Sequence, residues 1–160
     1  MTQTKASSRI ETLKLIPHPE GGYYSETYRA TATVSSEQGE RSAGTHIYFL
    51  LAAGDISKWH KVDADEMWHL YEGGPLTLHL LSPDFSEYRM LTLDASTAPP
   101  QYHGLIPADW WQAAEPQGDY ALMGCTVMPG FEFAGFAMLR DTPDLADKVR
   151  NAFPDVARLI

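Results

Sequence analysis

Polar and apolar positions alternate with a period of two along most of this chain, and the alternation is interrupted at short intervals by glycine and proline. That pattern predicts short strands joined by tight turns. Tyr23, Ser25, Thr27 and Arg29 alternate with Tyr24, Glu26 and Tyr28. Thr45–Ala52 is β-rich and almost continuously apolar, and Ile56–His60 is a short strand. Asp65–Glu72 is aromatic and ends at the turn Gly73-Gly74-Pro75. Leu76–Leu81 alternates cleanly, Tyr88–Leu93 and Tyr102–Ile106 follow, and Tyr120–Met128 is a further apolar strand. Pro129-Gly130 then turns the chain into a strand over Phe131–Leu139. The polar stretch Thr31–Ala43 reads as a loop.

Only the two ends break this rhythm. Ser8 and Glu11 have capping-box spacing, Ile10, Leu13 and Lys14 follow at helical intervals, and Pro17 stops the segment. Near the other end Thr142 and Pro143 suit a cap and a first helical position, and Leu145, Val149 and Phe153 recur with helical spacing. Many short strands flanked by two short helices predict an all-β sandwich or barrel.

Composition narrows the function classes. The 160 residues suit one domain, 1–160, with a barrel core at about 20–140 and a C-terminal helix at about 143–153. Twenty-one acidic residues against twelve basic ones give a formal charge of −9. Such a field repels phosphate backbones and anionic lipid, so neither nucleic acid nor a membrane surface is an expected partner. A single cysteine, Cys125, excludes an internal disulfide framework and an all-cysteine zinc site. With no apolar leader at the N-terminus, the expected location is cytoplasmic.

Chemically capable groups concentrate in Trp59–His69. If Glu66 and His69 lay on a helix they would share a face, as in di-iron bundles, but that reading needs a second copy of the motif and long amphipathic helices. In a strand, Glu66, Trp68 and Leu70 share one face while Met67, His69 and Tyr71 share the other. His69 and His79 then read as half-buried histidines between layers, and Cys125 as a small core residue.

The motifs Ile47-Tyr48-Phe49-Leu50-Leu51, Ser57-Lys58-Trp59-His60 and Ala64-Asp65-Glu66-Met67-Trp68 are similar to those of the Cupin_5 family, also called DUF985. So are His18-Pro19-Glu20-Gly21-Gly22-Tyr23-Tyr24 upstream and Trp111-Gln112-Ala113-Ala114, Gly124-Cys125-Thr126-Val127 and Pro129-Gly130-Phe131-Glu132-Phe133 downstream. The resemblance spans nearly the whole chain. It implies the double-stranded β-helix of cupins, a jelly-roll barrel related to metal-free sugar-nucleotide epimerases, and a homodimer. Metal-binding cupins carry two histidines and a glutamate in one motif and a third histidine in another. Here the first motif offers His60 and Glu66, and Gln112 stands where the last histidine would. One imidazole, one carboxylate and one amide make a poor ligand set. A divalent metal held by His60, Glu66 and Gln112 is therefore the lesser alternative, and no cofactor is favoured.

Without metal, His60 suits general acid–base work and Glu66 suits orienting it. A tyrosine, Tyr23 or Tyr28, would complete a proton-transfer pair. Trp68 and one of the consecutive Trp110 and Trp111 would wall the pocket, with Glu20 and Gln112 as polar ligand contacts; alternation alone does not choose between the two tryptophans. The expected function is a small-molecule-binding cupin of isomerase or epimerase type acting on a small polar metabolite such as a sugar derivative. A non-catalytic binder and a metal-dependent cupin are the alternatives.

Overall fold

The structure is a computed structural model that describes residues 4–37 and 39–160. It is built from strands β1 (Ile16–Pro17), β2 (Tyr23–Arg29), β3 (Thr33–Ser36), β4 (Gly39–Ser42), β5 (Thr45–Ala52), β6 (Ser57–Val62), β7 (Asp65–Gly73), β8 (Leu76–Leu81), β9 (Tyr88–Leu93), β10 (His103–Ile106), β11 (Trp111–Pro116), β12 (Tyr120–Met128) and β13 (Phe136–Met138). Helices α1 (Lys5–Thr12) and α2 (Pro143–Ala152) flank them.

The strands form a six-stranded sheet in the order β1-β2-β5-β12-β7-β10 and a five-stranded sheet in the order β13-β6-β11-β8-β9. Every pairing is antiparallel. Chain neighbours such as β5, β6, β7 and β8 fall alternately in the two sheets, which is the double-stranded β-helix of a cupin. The inward faces of both sheets meet in one core that includes Phe49, Leu51, Trp68, Leu78 and Met123. Two further clusters lie outside the barrel. Trp59, Trp111 and Leu139 pack beneath α2 against its Val149, while Leu15, Leu50 and Tyr120 pack beneath α1 against its Ala6. Among the described residues no helix is long and apolar enough to cross a membrane.

Three local expectations are corrected. Helix α1 is capped by Thr4, whose hydroxyl accepts the Ser7 N–H at 3.1 Å, and not by Ser8. Starting one turn earlier lets Ala6 as well as Ile10 reach the outer cluster. The stretch expected as a loop contains the hairpin β3–β4. Its side chains are polar apart from Val34, so no alternation betrayed it. Finally, Phe131–Leu139 is not one strand: a 3-10 turn at Phe133–Gly135 precedes β13.

The glycines before β2 fix how the N-terminal arm joins the barrel. Gly21 has φ +112°, and a Cβ there would collide with the Ile56 backbone carbonyl. That close approach lets the Glu20 carbonyl accept the Lys58 N–H at 2.8 Å. Gly21→Ala is therefore expected to lower the urea unfolding free energy by roughly 3 kcal/mol, from backbone strain and a clash that only backbone movement relieves. Gly54→Ala has a similar positive φ but open space around the new methyl, and should cost only about 1 kcal/mol.

Candidate functional site

One end of the barrel opens into a cavity of about 150 Å³ between the two sheets. Its walls are apolar and aromatic, contributed by Ile47 and Phe49 of β5, Trp68 of β7 and Phe136 of β13. Its polar lining includes His18, Glu20, His60 and Glu66.

Alternation along β7 delivers Glu66 and Trp68 to this space, both buried, while Met67 and His69 face outward. The Glu66 Oε2 atom accepts from Gln112 Nε2 at 2.6 Å, and Gln112 Oε1 accepts from Trp68 Nε1 at 2.9 Å. An indole N–H can only donate, so it fixes the amide with its oxygen toward Trp68 and its NH₂ toward Glu66. Gln112 thus clamps the carboxyl from behind. Burial pushes the Glu66 carboxyl up to about 7, and the Gln112 hydrogen bond only partly offsets this.

Glu20 arrives on the arm that Gly21 presses against β6. Its Oε1 accepts from Ser57 Oγ at 2.8 Å, and its Oε2 lies 3.2 Å from His60 Nε2 and 3.3 Å from His18 Nδ1. His60 Nδ1 is 2.8 Å from the Lys58 carbonyl oxygen, which can only accept, so Nδ1 carries the ring proton. Burial lowers His60 to about 3 and His18 to about 4, so both rings are neutral. Burial, reinforced by the nearby charge of Glu66, raises Glu20 well above the usual carboxylate range. The arrangement that satisfies every group places a proton on Glu20 Oε2, donated to the bare Nε2 of His60. It is a desolvated, electrically neutral proton-sharing pair.

The rim is set by a bulge. Glu26 pairs with Ile47 and Tyr28 with His46, so Thr27 is one residue too many for the ladder. The phase slips there, and Arg29 joins Tyr24 and Glu26 on the cavity side. The Arg29 guanidinium grips Glu26 through Nε at 3.0 Å and Nη2 at 2.9 Å, Glu132 through Nη1 at 3.1 Å and the Phe131 carbonyl through Nη2 at 3.0 Å. Phe131, Phe133 and Phe136 pack edge to face beside it, with centroids 5.0–6.1 Å apart.

Of the residues singled out in the sequence, the structure brings His60, Glu66, Glu20 and Trp68 together at this cavity and places Gln112 behind it. It does not bring the others. Tyr23 points to the outer side and packs in the cluster under α1. Tyr28 is 62% exposed, because it follows the bulge. Trp111 packs outside the barrel beneath α2, and Trp110 lies against Arg89, its ring centroid 4.6 Å from the guanidinium carbon, so neither tryptophan lines the cavity. The carboxyl beside His60 is Glu20, whereas Glu66 is tied to Gln112. A ligand set of His60, Glu66 and Gln112 is not assembled either, because the amide presents N–H groups to the carboxylate and its oxygen is taken by Trp68. Among the described residues no three His, Cys, Asp or Glu side chains are placed to hold a metal. Cys125 is buried on the cavity wall, where burial pushes its thiol up and keeps it protonated.

Sequence reasoning missed His18, Tyr24, Arg29 and the Phe131–Phe136 rim. The signal available for the first two was the Gly21-Gly22 turn, which puts both flanking segments against one site. Arg29 and the rim depend on the bulge and on the 3-10 turn, which leave no mark in the pattern.

The Cupin_5 family, described as "Cupin superfamily (DUF985)", matches residues 7–139. A hypothetical protein from Leishmania major is similar at 30% identity, with 98% of this chain and 97% of that one covered and a TM-score of 0.83. A protein from Shewanella oneidensis is similar at 29% identity over 99% and 95% of the two chains, with a TM-score of 0.82. The capsular polysaccharide assembling protein CapF from Staphylococcus aureus shares the fold at 11% identity, covering 78% of this chain and 31% of its own length, with a TM-score of 0.56. No curated protein matches the chain.

A pH prediction follows from Glu66. Its folded carboxyl holds a proton that the unfolded chain loses near pH 4.5, so this group's contribution to stability is complete below pH 4.5 and is lost as the pH rises to about 7. His60 and His18 act in the opposite sense, since the unfolded chain binds protons at these groups first as the pH falls. Comparison with Glu66→Gln isolates the carboxyl. Urea unfolding at pH 4.5 and pH 8 should show the variant gaining up to about 3 kcal/mol relative to the parent over that interval.

Proposed function

The chain belongs to the DUF985 family of the cupin superfamily, and from that premise we propose that it binds a small polar metabolite, such as a sugar derivative, in the barrel cavity and moves a proton on it in the manner of an isomerase or epimerase. The observation that carries this reading is the pair of buried carboxyl groups, Glu20 and Glu66, in one cavity but in different environments. Glu66, held near 7, is divided between acid and base at neutral pH, which suits proton abstraction. Glu20 keeps its proton, shared with His60, which suits donation.

In this reading Glu66 takes a proton from a carbon next to a carbonyl, and Glu20 returns one to the developing oxyanion or to the opposite face of the carbon. When the oxyanion is protonated, the second half of the reaction exchanges the two roles and resets both groups. When the opposite face of the carbon is protonated, Glu66 loses its proton to solvent and Glu20 regains one from it. His60, fixed by the Lys58 carbonyl, accepts the Glu20 proton in the resting state, and Ser57 Oγ donates to the Glu20 carboxylate left after proton transfer. The base function expected of the histidine passes to a carboxyl, because a ring buried this deeply resists protonation. The metal-dependent alternative finds no support in the donor set. Homodimerisation and a cytoplasmic location are part of the proposal; light scattering at micromolar concentration should give twice the mass of the chain.

Proton transfer is testable before the substrate is known. Incubating the protein in D₂O with a panel of keto and aldo sugar derivatives should wash deuterium into one carbon position, read by NMR. Glu66→Gln should slow that exchange by about 10²–10⁴-fold while a ligand-induced rise in melting temperature persists. A ligand that stabilises the parent protein yet exchanges no proton would leave a binding module and refute catalysis.

A further inference from the structure

Resting on that reading of the cavity, we infer that the metabolite it takes carries a positive charge, an amine or quaternary ammonium group seated between Glu66 and the aromatic walls. Three observations converge on this.

The first is the balance of charge. Four carboxyl groups line the cavity: Glu20 is held neutral beside His60, Glu26 and Glu132 hold Arg29, the one lysine or arginine among the described lining residues, and Glu66 has no opposite charge. Arg29 is not free for a ligand anion. It uses four of its five N–H groups: Nε and one Nη2 hydrogen on Glu26, one Nη1 hydrogen on Glu132, and the second Nη2 hydrogen on the Phe131 carbonyl. A phosphate or carboxylate entering here would meet no available cation and would have to approach Glu66.

The second is the state of Glu66. The residue is 6% exposed and lines the cavity, and only its Oε2 is engaged, by Gln112. Among the described residues Oε1 has no hydrogen-bond partner. A carboxylate desolvated to this degree with one free oxygen is stabilised most by a cation placed against it. Pairing also keeps Glu66 ionised in the complex, the form in which it accepts a proton.

The third is the wall chemistry. Tyr24, Phe49, Trp68, Phe131, Phe133 and Phe136 surround the same space. Aromatic faces attract cations through the ring quadrupole, and more strongly in a desolvated site. Phe133 is 56% exposed at the rim, where a ligand on its way in would meet it. A cavity that combined aromatic walls with neutral polar groups alone would suit an uncharged sugar equally well; the unpaired carboxylate is what favours the ammonium.

The test is a matched panel measured by calorimetry and thermal shift at fixed ionic strength: glucosamine, glucose and gluconate, with tetramethylammonium against tert-butanol as a minimal pair. The amine should bind the parent protein at least about tenfold more tightly than its neutral counterpart, with the carboxylate weakest. Glu66→Gln should reduce that preference to within about threefold, and Phe133→Ala, a change at the exposed rim, should weaken every cation more than its neutral counterpart while the protein stays folded. If glucose or gluconate binds as tightly as glucosamine, the charge inference is overturned while the cavity remains a ligand site. If no cation in the panel binds up to 10 mM on the order of magnitude used for weak metabolites, it is overturned as well. If cations bind but Glu66→Gln binds them equally, Glu66 is not their partner and this inference is overturned, while the proton-transfer reading stands or falls on its own deuterium-exchange test.

Discussion

Burial of the Glu20 carboxyl is the constraint on which the rest of this molecule depends. A carboxyl can be withdrawn from water only if its atoms are partnered or its charge is removed, and here both happen. Ser57 binds one oxygen, and His60 and His18 flank the other. The backbone carbonyl of the same residue is bound by Lys58. One side chain therefore attaches the N-terminal arm to β6, fixes the tautomer relationship of His60 and forms the polar end of the cavity. It can do so only because Gly21 lets the arm touch the Ile56 backbone.

The second carboxyl is held by a different device. Glu66 sits at the end of a chain of hydrogen bonds that begins at an indole and passes through an amide. Each link is directional: Trp68 can only donate, so Gln112 can only turn one way, so Glu66 always faces a donor. The two carboxyls are thus both buried but unequally supported, and the charge of Glu66 raises Glu20 further, which separates their proton affinities.

Much of the barrel was legible in the sequence, since a half-buried strand announces itself by alternation and the turns by glycine and proline. The faces of β7 follow directly from it, and so does the convergence of His60, Glu66 and Trp68. What the pattern could not carry is phase. Tyr23 and Tyr24 are equally plausible on either face until the pairing of β2 with β5 is known, and the choice falls to Tyr24. Past Thr27 the phase inverts, which removes Tyr28 and supplies Arg29. The Trp110–Trp111 ambiguity had the same origin, and it resolved outward because α2 offers Trp111 an apolar cover. Glu20 was visible as a candidate, but its partnership with His60 joins residues forty positions apart through a glycine contact, which no spacing rule encodes. The hairpin β3–β4 was invisible because a segment with one apolar residue, Val34, among polar ones looks like a loop.

The bulge at Thr27 has an evolutionary consequence. Loss of that single residue would restore regular pairing yet leave Tyr28 opposite His46 and Arg29 opposite Thr45, so the arginine would keep its place at the entrance. The entrance is therefore buffered against a one-codon deletion at an exposed position: a length change there alters the local twist of the strand without changing what the mouth presents.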